Sequence, residues 1–540
     1  MSSAKSTGQL PEAAPSGAIT ATGRWMALLA ALLGWLFDGA EMGLFSMVGR
    51  AAMQDLLGFG SSPTKPEEDQ IALYFGIVIA MFLVGAATGG VLFGWLGDRI
   101  GRVRAMSLSV LTYAVFTGLC GFAATPLQLA VLRFVASLGM GGEWALGVAL
   151  VMEVWPNRSR ALMAGLIGAA ANVGYMLVGF VGLVLAAWLT TVEKTLLGWG
   201  VGVETVQSLV AFKGWRLLMI LGTTPAILTF FFRLFVPESE KWQEQNSRGT
   251  TSHWKAADLF GVLVGALGPA LIILAWAQDW SKSHPESWMG QNLSLVRWGS
   301  IAVGLIIATV GYTYPVLRFV IRSTRAAGRP SETGPILGRM LIAALLSGIA
   351  LLGTWASAQW AAAWAGKLTN GIAGSTAREW TQIFSAAGAC VGTIAAAMAG
   401  NLFGRRISYF ALCVMSLAAT LWFYGGNSEY NNQFLVSVFL LGATTASFYG
   451  WLPLYLPELF GTSVRATGQG FGFNFGRILA AVGALQSGVL TSMFPNGVKL
   501  LGIPMAGGYP AACSTMSLVY LLGLLVIWLA PETRGRPLPE

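Results

Sequence analysis

Residues 34–45 read GWLFDGAEMGLF and lie inside an apolar run that begins near Trp25. About 20 apolar residues in a helix cross the roughly 30 Å hydrocarbon core of a bilayer, so the run is predicted to be a membrane span. It nevertheless carries two carboxylates, Asp38 and Glu41, near its middle. A charged side chain there costs about 2.5–3.5 kcal/mol on insertion scales, and persists where it pairs or faces a water-filled cavity. The stretch therefore points to a bundle of membrane helices and raises the question of what its acids do.

Working outward, the whole chain fits that reading. It has 540 residues, 55% hydrophobic and only 11% charged, a balance typical of polytopic membrane proteins. Apolar runs of span length recur as far as Trp528. They predict helices near 25–49, 71–96, 105–124, 127–152, 161–189 and 215–235. A second set is predicted near 257–279, 295–320, 336–364, 378–402, 406–424, 434–456, 466–493 and 513–530, about fourteen spans in all. The 69 glycines suit close helix packing in lipid. The net charge of +9 lies in short loops and is no nucleic-acid footprint. With the N-terminus inside, Lys and Arg favour the cytoplasmic loops by about two to one, so both termini are expected in the cytoplasm.

Several chemistries find no residues to carry them. Cys120, Cys390, Cys413 and Cys513 all lie in apolar runs and read as free thiols, with no metal spacing. Both histidines, His253 and His284, fall in polar connectors, which leaves any intramembrane proton chemistry to carboxylates. There is no phosphate-cradling GxxxxGK[ST] and no nucleophile elbow, so neither ATP-driven transport nor catalysis is expected, and no cofactor. Residues 1–23 are rich in Ser, Ala, Gly and Thr and are expected to form a disordered cytoplasmic tail.

The chain also repeats itself. GWLGDRIGRVR (94–104) is echoed by AMAGNLFGRR (397–406), EVWPNRSRA (153–161) by ELFGTSVRA (458–466), and PESEKW (237–242) by PETRGR (531–536). The displacement is roughly 300 residues, yet the first copy is shorter than that. The excess holds two further apolar runs. The expected organisation is a tail (1–23), a first six-helix bundle (24–242), an insert with two extra transmembrane helices (243–334) and a second six-helix bundle (335–540).

These motifs resemble a known family. GDRIGRVR, between the second and third spans, resembles the loop signature of the major facilitator superfamily. RFVASLGMGGEWALGVALVMEVWPNRSRA (133–161), PESEKW and PETRG resemble its sugar-porter and metabolite:proton symporter branch. DGAE is similar to the DGxD motif of aromatic-acid and related carboxylate symporters, with Glu41 in place of the second aspartate. ELFGTSVRATGQGFGFNFGRI (458–478) resembles the eleventh-helix region of organic-anion and carboxylate members. The six-plus-two-plus-six layout resembles that of sialic-acid:proton symporters. The resemblance implies the major facilitator fold, an all-α polytopic protein of the cell (inner) membrane. It further implies alternating access around a midplane cavity, with a small molecule and protons as partners in a monomer.

The buried charges have physical readings of their own. Asp38 and Glu41 are three apart and share a helix face. Glu41 lies about 24 Å from the cytoplasmic start of its helix, and Arg133 about 9 Å below the outer surface, at about 1.5 Å per residue. In a core of about 30 Å the two depths nearly coincide, so acid and arginine can meet. Protonating the acid would release the arginine, which makes the pair a plausible coupling switch; a static pair that merely neutralises itself is the alternative. Glu41 is favoured as the titrating group because it matches the motif's second acid, with Asp38 close behind. Glu143, in GMGGEW, is a second proton site, a substrate contact or a helix–helix hydrogen bond.

Arg477 lies about 18 Å from the cytoplasmic face along its helix, and a guanidinium there suits a carboxylate. The resemblance implies a substrate countercharge at this position; a pair with Glu143 or Asp38 is the alternative. Asn172, Gln359, Tyr449 and Asn474 are polar residues inside spans that line a cavity or bond between helices. Trp355 can stack on a ring, whereas Trp360 and Trp364 read as interfacial-belt anchors. Gly97 and Gly101 permit a tight turn, and Asp98 can cap a helix or pair with Arg102. The resemblance implies that this loop braces the two halves. Glu153–Arg160 and Glu458–Arg465 can form similar gating clusters, or the arginines simply set sidedness. The favoured reading is proton-coupled import of an organic acid. A proton-coupled or facilitative sugar carrier is the alternative, and a non-transporting nutrient sensor, which would need a long soluble signalling domain, comes third.

Overall fold

The computed structural model describes residues 21–539 except 61, 155–158, 225–226, 228–255, 278–279, 327, 329, 371, 373 and 462–463. In the first half the chain forms α1 (Ala21–Leu56), α2 (Lys65–Ile100), α3 (Arg102–Cys120), α4 (Pro126–Val154), α5 (Arg160–Gly198) and α6 (Val203–Leu221). Next come α7 (Ala256–Ala277) and α8 (Leu293–Ala326), joined through two single-turn helices. The second half forms α9 (Thr333–Trp355), α10 (Ala377–Phe403), α11 (Arg405–Gly426), α12 (Asn432–Thr445), α13 (Arg465–Met493) and α14 (Tyr509–Ser517). Short helices Ala361–Leu368, Phe448–Tyr455 and Val519–Val526 extend α9, α12 and α14 after breaks. A two-stranded hairpin, Val498–Leu500 against Ile503–Met505, separates α13 from α14.

A helix thus begins or ends near every apolar run predicted from sequence. Among the described residues, ten helices are long and apolar enough to cross a membrane, fewer than the expected fourteen. Most of the predicted sixth span, 215–235, lies outside the described residues. Its beginning is preceded by an extra helical stretch from Val203, with the chain leaving helical geometry at Ala211–Gly214.

Close backbone approach holds the bundles together. A Cβ on Gly174 would stand 1.6 Å from the Leu36 carbonyl oxygen, and one on Gly39 1.7 Å from that of Ala171. Only hydrogen fits there, so α1 and α5 touch backbone to backbone, the mode that drives helix association in lipid. Between the halves, α5 packs on α10 and α2 packs on α13. The extra helices α7 and α8 pack on each other, α7 packs on α2, and both also touch α13.

The repeat seen in sequence recurs in backbone geometry. Gly101 links α2 to α3 at φ 105°, ψ 153°, and Gly404 links α10 to α11 at φ 95°, ψ 162°. That region is essentially restricted to glycine, so both copies need glycine at the same corner. The α2–α3 side of the molecule carries Gly101 and Gly404, and the α1–α2 side lies opposite.

Candidate functional site

A cavity of about 120 Å³ opens between the two halves. Its wall is built from α1, α2, α4 and α5 on one side and α9, α10, α12 with its short extension, and α13 on the other. Six of the residues singled out in the sequence line it: Asp38, Asn172, Trp355, Gln359, Tyr449 and Arg477. Trp355 is the last residue of α9, and Gln359 lies in the single 3₁₀ turn that follows. Asn172 turns its amide back along its own helix, donating to the Gly168 carbonyl at 2.8 Å.

Arg477 enters the cavity from α13. Its Nη1 donates to Asn474 Oδ1 at 2.9 Å and to the Ala86 carbonyl of α2 at 3.4 Å, and the guanidinium lies over Phe473, 4.8 Å from the ring centroid. Arg477 is also attracted electrostatically by Asp38. The first helix of one half and a late helix of the other thus bring opposite charges to one cavity. Phe473 in turn stacks on Trp144 of α4, centroids 3.8 Å apart and planes 4° from parallel. Asn474, read from sequence as lining the cavity or bonding between helices, sits behind Arg477 with its side chain against Gly90 of α2.

One layer away, Glu41 and Arg133 form an ion pair, each side chain 2% exposed. Thr117 of α3 donates its hydroxyl to the same Glu41 oxygen at 3.2 Å. The guanidinium also lies near the faces of Phe82 (4.7 Å) and Phe45 (5.1 Å). Buried charges of this kind are tolerated because each satisfies the other. Glu41 is not part of the cavity wall, whereas Arg133 borders a smaller pocket whose walls share Met42, Phe82, Trp355 and Gln359 with the main cavity. The acids of the opening motif therefore divide: Asp38 faces the cavity and Glu41 sits behind it.

Cross-half contacts flank the cavity on both sides. Toward the α1–α2 side, Tyr175 of α5 donates to Gln359 Oε1 at 3.4 Å and contacts the Ser46 hydroxyl, while Phe75 meets Trp360 edge-on at 4.8 Å. Trp360 and Trp364 are 0% and 4% exposed, so neither is an interfacial anchor. Trp364 fills an aromatic cluster with Phe423, Tyr424 and Phe434, at 5.2, 5.1 and 5.3 Å. Aromatic surface is satisfied as well by such clusters as by a membrane interface.

Toward the α2–α3 side, Arg405 grips Glu458 with both arms of its fork, at 2.9 and 2.7 Å, and Thr533 donates to the same carboxylate at 2.6 Å. Spacing alone suggested Arg465 as the partner of Glu458; the fork comes from Arg405. Arg465 donates to the carbonyls of Phe460 and Pro539. Arg160 is attracted by Glu458 and repelled by Arg465 across the halves. The side chains of Asp98, Arg102, Glu143 and Glu153, and the surroundings of Gly97, lie outside the described residues.

Sequence reasoning missed Trp35, Phe82, Trp144, Tyr175 and Phe473, all of which line the cavity. Helical spacing held a usable signal for two of them. Trp35 precedes Asp38 by three positions and Tyr175 follows Asn172 by three, so each shares a face with a residue already singled out.

Residues 26–257 match a family described as sugar (and other) transporter. The chain is 30% identical over 219 residues to the cis,cis-muconate transport protein of Acinetobacter baylyi, covering 41% of this chain and 44% of that protein. It is 26% identical over 505 residues to a probable 4-methylmuconolactone transporter of Cupriavidus pinatubonensis, covering 93% and 89% of the two chains. The chain spans less than half the length of the first curated relatives it matches. Among solved structures it superposes on the proton:xylose symporter XylE with a TM-score of 0.61 at 17% identity, over 95% of this chain and 97% of that one.

Proposed function

The chain has the major facilitator fold, and on that premise we propose that it is a secondary active transporter importing a small organic acid together with protons. The observation that carries this reading is the opposition of Asp38 and Arg477 across one cavity. A substrate carboxylate and the Asp38 carboxylate compete for the same guanidinium. Protonation of Asp38 frees Arg477 for the substrate, and release of both lets the acid reclaim its partner. For a monocarboxylate, one positive charge enters with one negative charge, so the loaded cavity holds no uncompensated charge, which would be costly at that depth; a dicarboxylate needs a second proton for the same balance.

Glu41 and Arg133 supply a second site of the same chemistry one layer away. The reading places the halves at 24–242 and 335–540, with 243–334 as the inserted helix pair. It takes the α2–α3 side as cytoplasmic, in a monomer of the inner membrane. The names of the two relatives, transporters of cis,cis-muconate and 4-methylmuconolactone, support small acids over sugars. The match to the sugar-transporter family supports the rival, a sugar carrier.

The experiment is uptake into proteoliposomes with an imposed inward proton gradient, using cis,cis-muconate, benzoate, N-acetylneuraminate and D-xylose. The reading expects one or more of the acids to accumulate, with acidification of the lumen, and no accumulation of xylose. Xylose accumulation without any acid uptake would transfer the assignment to the sugar carrier.

A further inference from the structure

The inserted helices α7 and α8 form a tight pair that reaches the first half at a defined point. A Cβ on Gly268 would lie 2.2 Å from the Gly304 carbonyl oxygen, and one on Gly265 would lie 2.8 Å from the ring of Tyr312. Glycine at 265 therefore leaves room for the Tyr312 ring beside α7. Beyond it the Tyr312 hydroxyl meets Thr88 Oγ1 of α2 at 2.6 Å, with Tyr312 4% and Thr88 5% exposed. Thr88 already donates its own proton to the Val84 carbonyl at 2.8 Å. A hydroxyl has one proton to give, so Tyr312 is the donor of the bond between them.

Thr88 stands in GAATGG (85–90), a stretch of α2 in direct contact with the cavity arginine. Ala86, two residues earlier, offers its carbonyl to Arg477, and Gly90, two residues later, receives the side chain of Asn474, which itself accepts from Arg477. At its other end α8 is tied to the second half, where Thr324 and Thr333 share a hydrogen bond of 2.9 Å. The inserted pair is thus fastened to α2 at the level of Arg477 and to the start of α9.

We propose that the inserted pair is a strut that positions the substrate arginine: Tyr312, through Thr88, fixes the α2 segment against which Arg477 and Asn474 are set. Tyr312 is a positioning residue, acting on the substrate through α2, beside the lesser direct packing of α7 and α8 on α13. The substrate part of this inference rests on Arg477 being the partner of the anion; the mechanical part does not.

The test is hydrogen–deuterium exchange on the full chain in lipid nanodiscs without added substrate, which reads local opening free energies. Tyr312→Phe and Thr88→Val each remove one member of the bond. Each should speed exchange about fivefold, the weight of one ordinary hydrogen bond, in residues 84–92 of α2 and also in 472–479 of α13. Residues 436–443 of α12 should stay at the wild-type rate. The double variant should be no faster than either single one, and Thr88→Ser, which keeps the hydroxyl, should restore protection.

Wild-type exchange in 472–479, with changes confined to α7 and α8, would overturn the strut. So would acceleration spread equally over α12, which would mean general loosening. If one variant fails to fold, the other carries the test. Because no cargo is present, this outcome is independent of the uptake experiment: failure of every acid to accumulate would remove the acid-transport reading and leave the strut to be judged by exchange alone.

Discussion

Arg133 of α4 holds Glu41 of α1 in an ion pair from which water is almost wholly excluded, with Thr117 on the same carboxylate oxygen. Two full charges in such a place are stable only together. Removing one partner of a buried pair costs about 3–5 kcal/mol, whereas removing both charges is often nearly neutral.

Arg133→Leu is therefore expected to lower the thermal midpoint sharply, because it strands the Glu41 carboxylate, and Glu41→Gln in the same chain should recover most of the loss. Thermal unfolding of the detergent-solubilised protein reads both. Glu41→Gln alone should lower the midpoint less than Arg133→Leu, because its amide oxygen still accepts from Arg133 and Thr117, and it should reduce proton-driven accumulation to the share carried by Asp38 while retaining exchange of acid across the membrane. Undiminished accumulation would remove Glu41 from the coupling step.

Arg477 can be separated from a merely structural arginine by the charge of what is carried. Arg477→Ala should raise the half-saturating concentration of cis,cis-muconate by at least tenfold, about 1.4 kcal/mol or more of lost pairing, and leave binding of a neutral ester of the same acid within about twofold. Equal losses for both would mean that the residue serves packing through Asn474 and Ala86. Arg477→Lys should recover little, since an ammonium does not reproduce the planar fork.

Much of this arrangement was legible in residue order. Helix positions followed from apolar runs, and the corner at Gly101 was readable because its copy at Gly404 repeats the same local sequence. The meeting of Glu41 and Arg133 followed from matching depths along two helices. Pairing across the halves was not legible in that way. Depth along a helix does not say which face it shows, so Asp38 and Arg477 remained one possibility among several. Glu458 illustrates a different limit: the regular spacing to Arg465 was visible, but the tertiary fold brings Arg405 to the carboxylate. Trp360 and Trp364 show that hydropathy alone does not distinguish an aromatic side chain in an interior cluster from one at the membrane surface.

The contact between α1 and α5 makes a prediction about assembly. Gly174→Ala adds one methyl group 1.6 Å from the Leu36 carbonyl oxygen, where no side-chain rotation can relieve the clash. The helices must separate, weakening the contacts around Asp38 and Asn172. Overpacking of this kind costs about 1–3 kcal/mol and occasionally more. The expected result is a lower folded yield and thermal midpoint. Ala186→Gly, exposed on the same helix and away from that contact, should cost only the backbone entropy of a glycine, about 1 kcal/mol. A Gly174→Ala protein of wild-type stability would mean that α1 and α5 stand farther apart than described.

The C-terminal segment carries a prediction about acid pH. Glu532 accepts backbone N–H bonds from Arg405 (3.0 Å), Arg406 (3.1 Å), Thr533 (3.0 Å) and Arg534 (2.9 Å), so it binds the start of α11 as an anion binds a helix N-terminus. Partial burial, the largest single influence, pushes its carboxyl up, but the four donors together outweigh it and hold it below its ordinary value of 4.5. A carboxyl depressed in the folded state stabilises the docked segment above its unfolded-state value and loses that contribution as pH falls through the folded one. Docking of residues 530–539 should therefore weaken below about pH 4.5, where Glu532 begins to take up protons in the undocked chain. Exchange of those amides, followed from pH 6 to pH 3 and corrected for intrinsic rates, should rise in the wild type. In Glu532→Gln it should start faster and vary little over the same range. An equally steep pH response in that variant would assign the effect to another acid, with Glu458, gripped by Arg405 and Thr533, the next to be replaced.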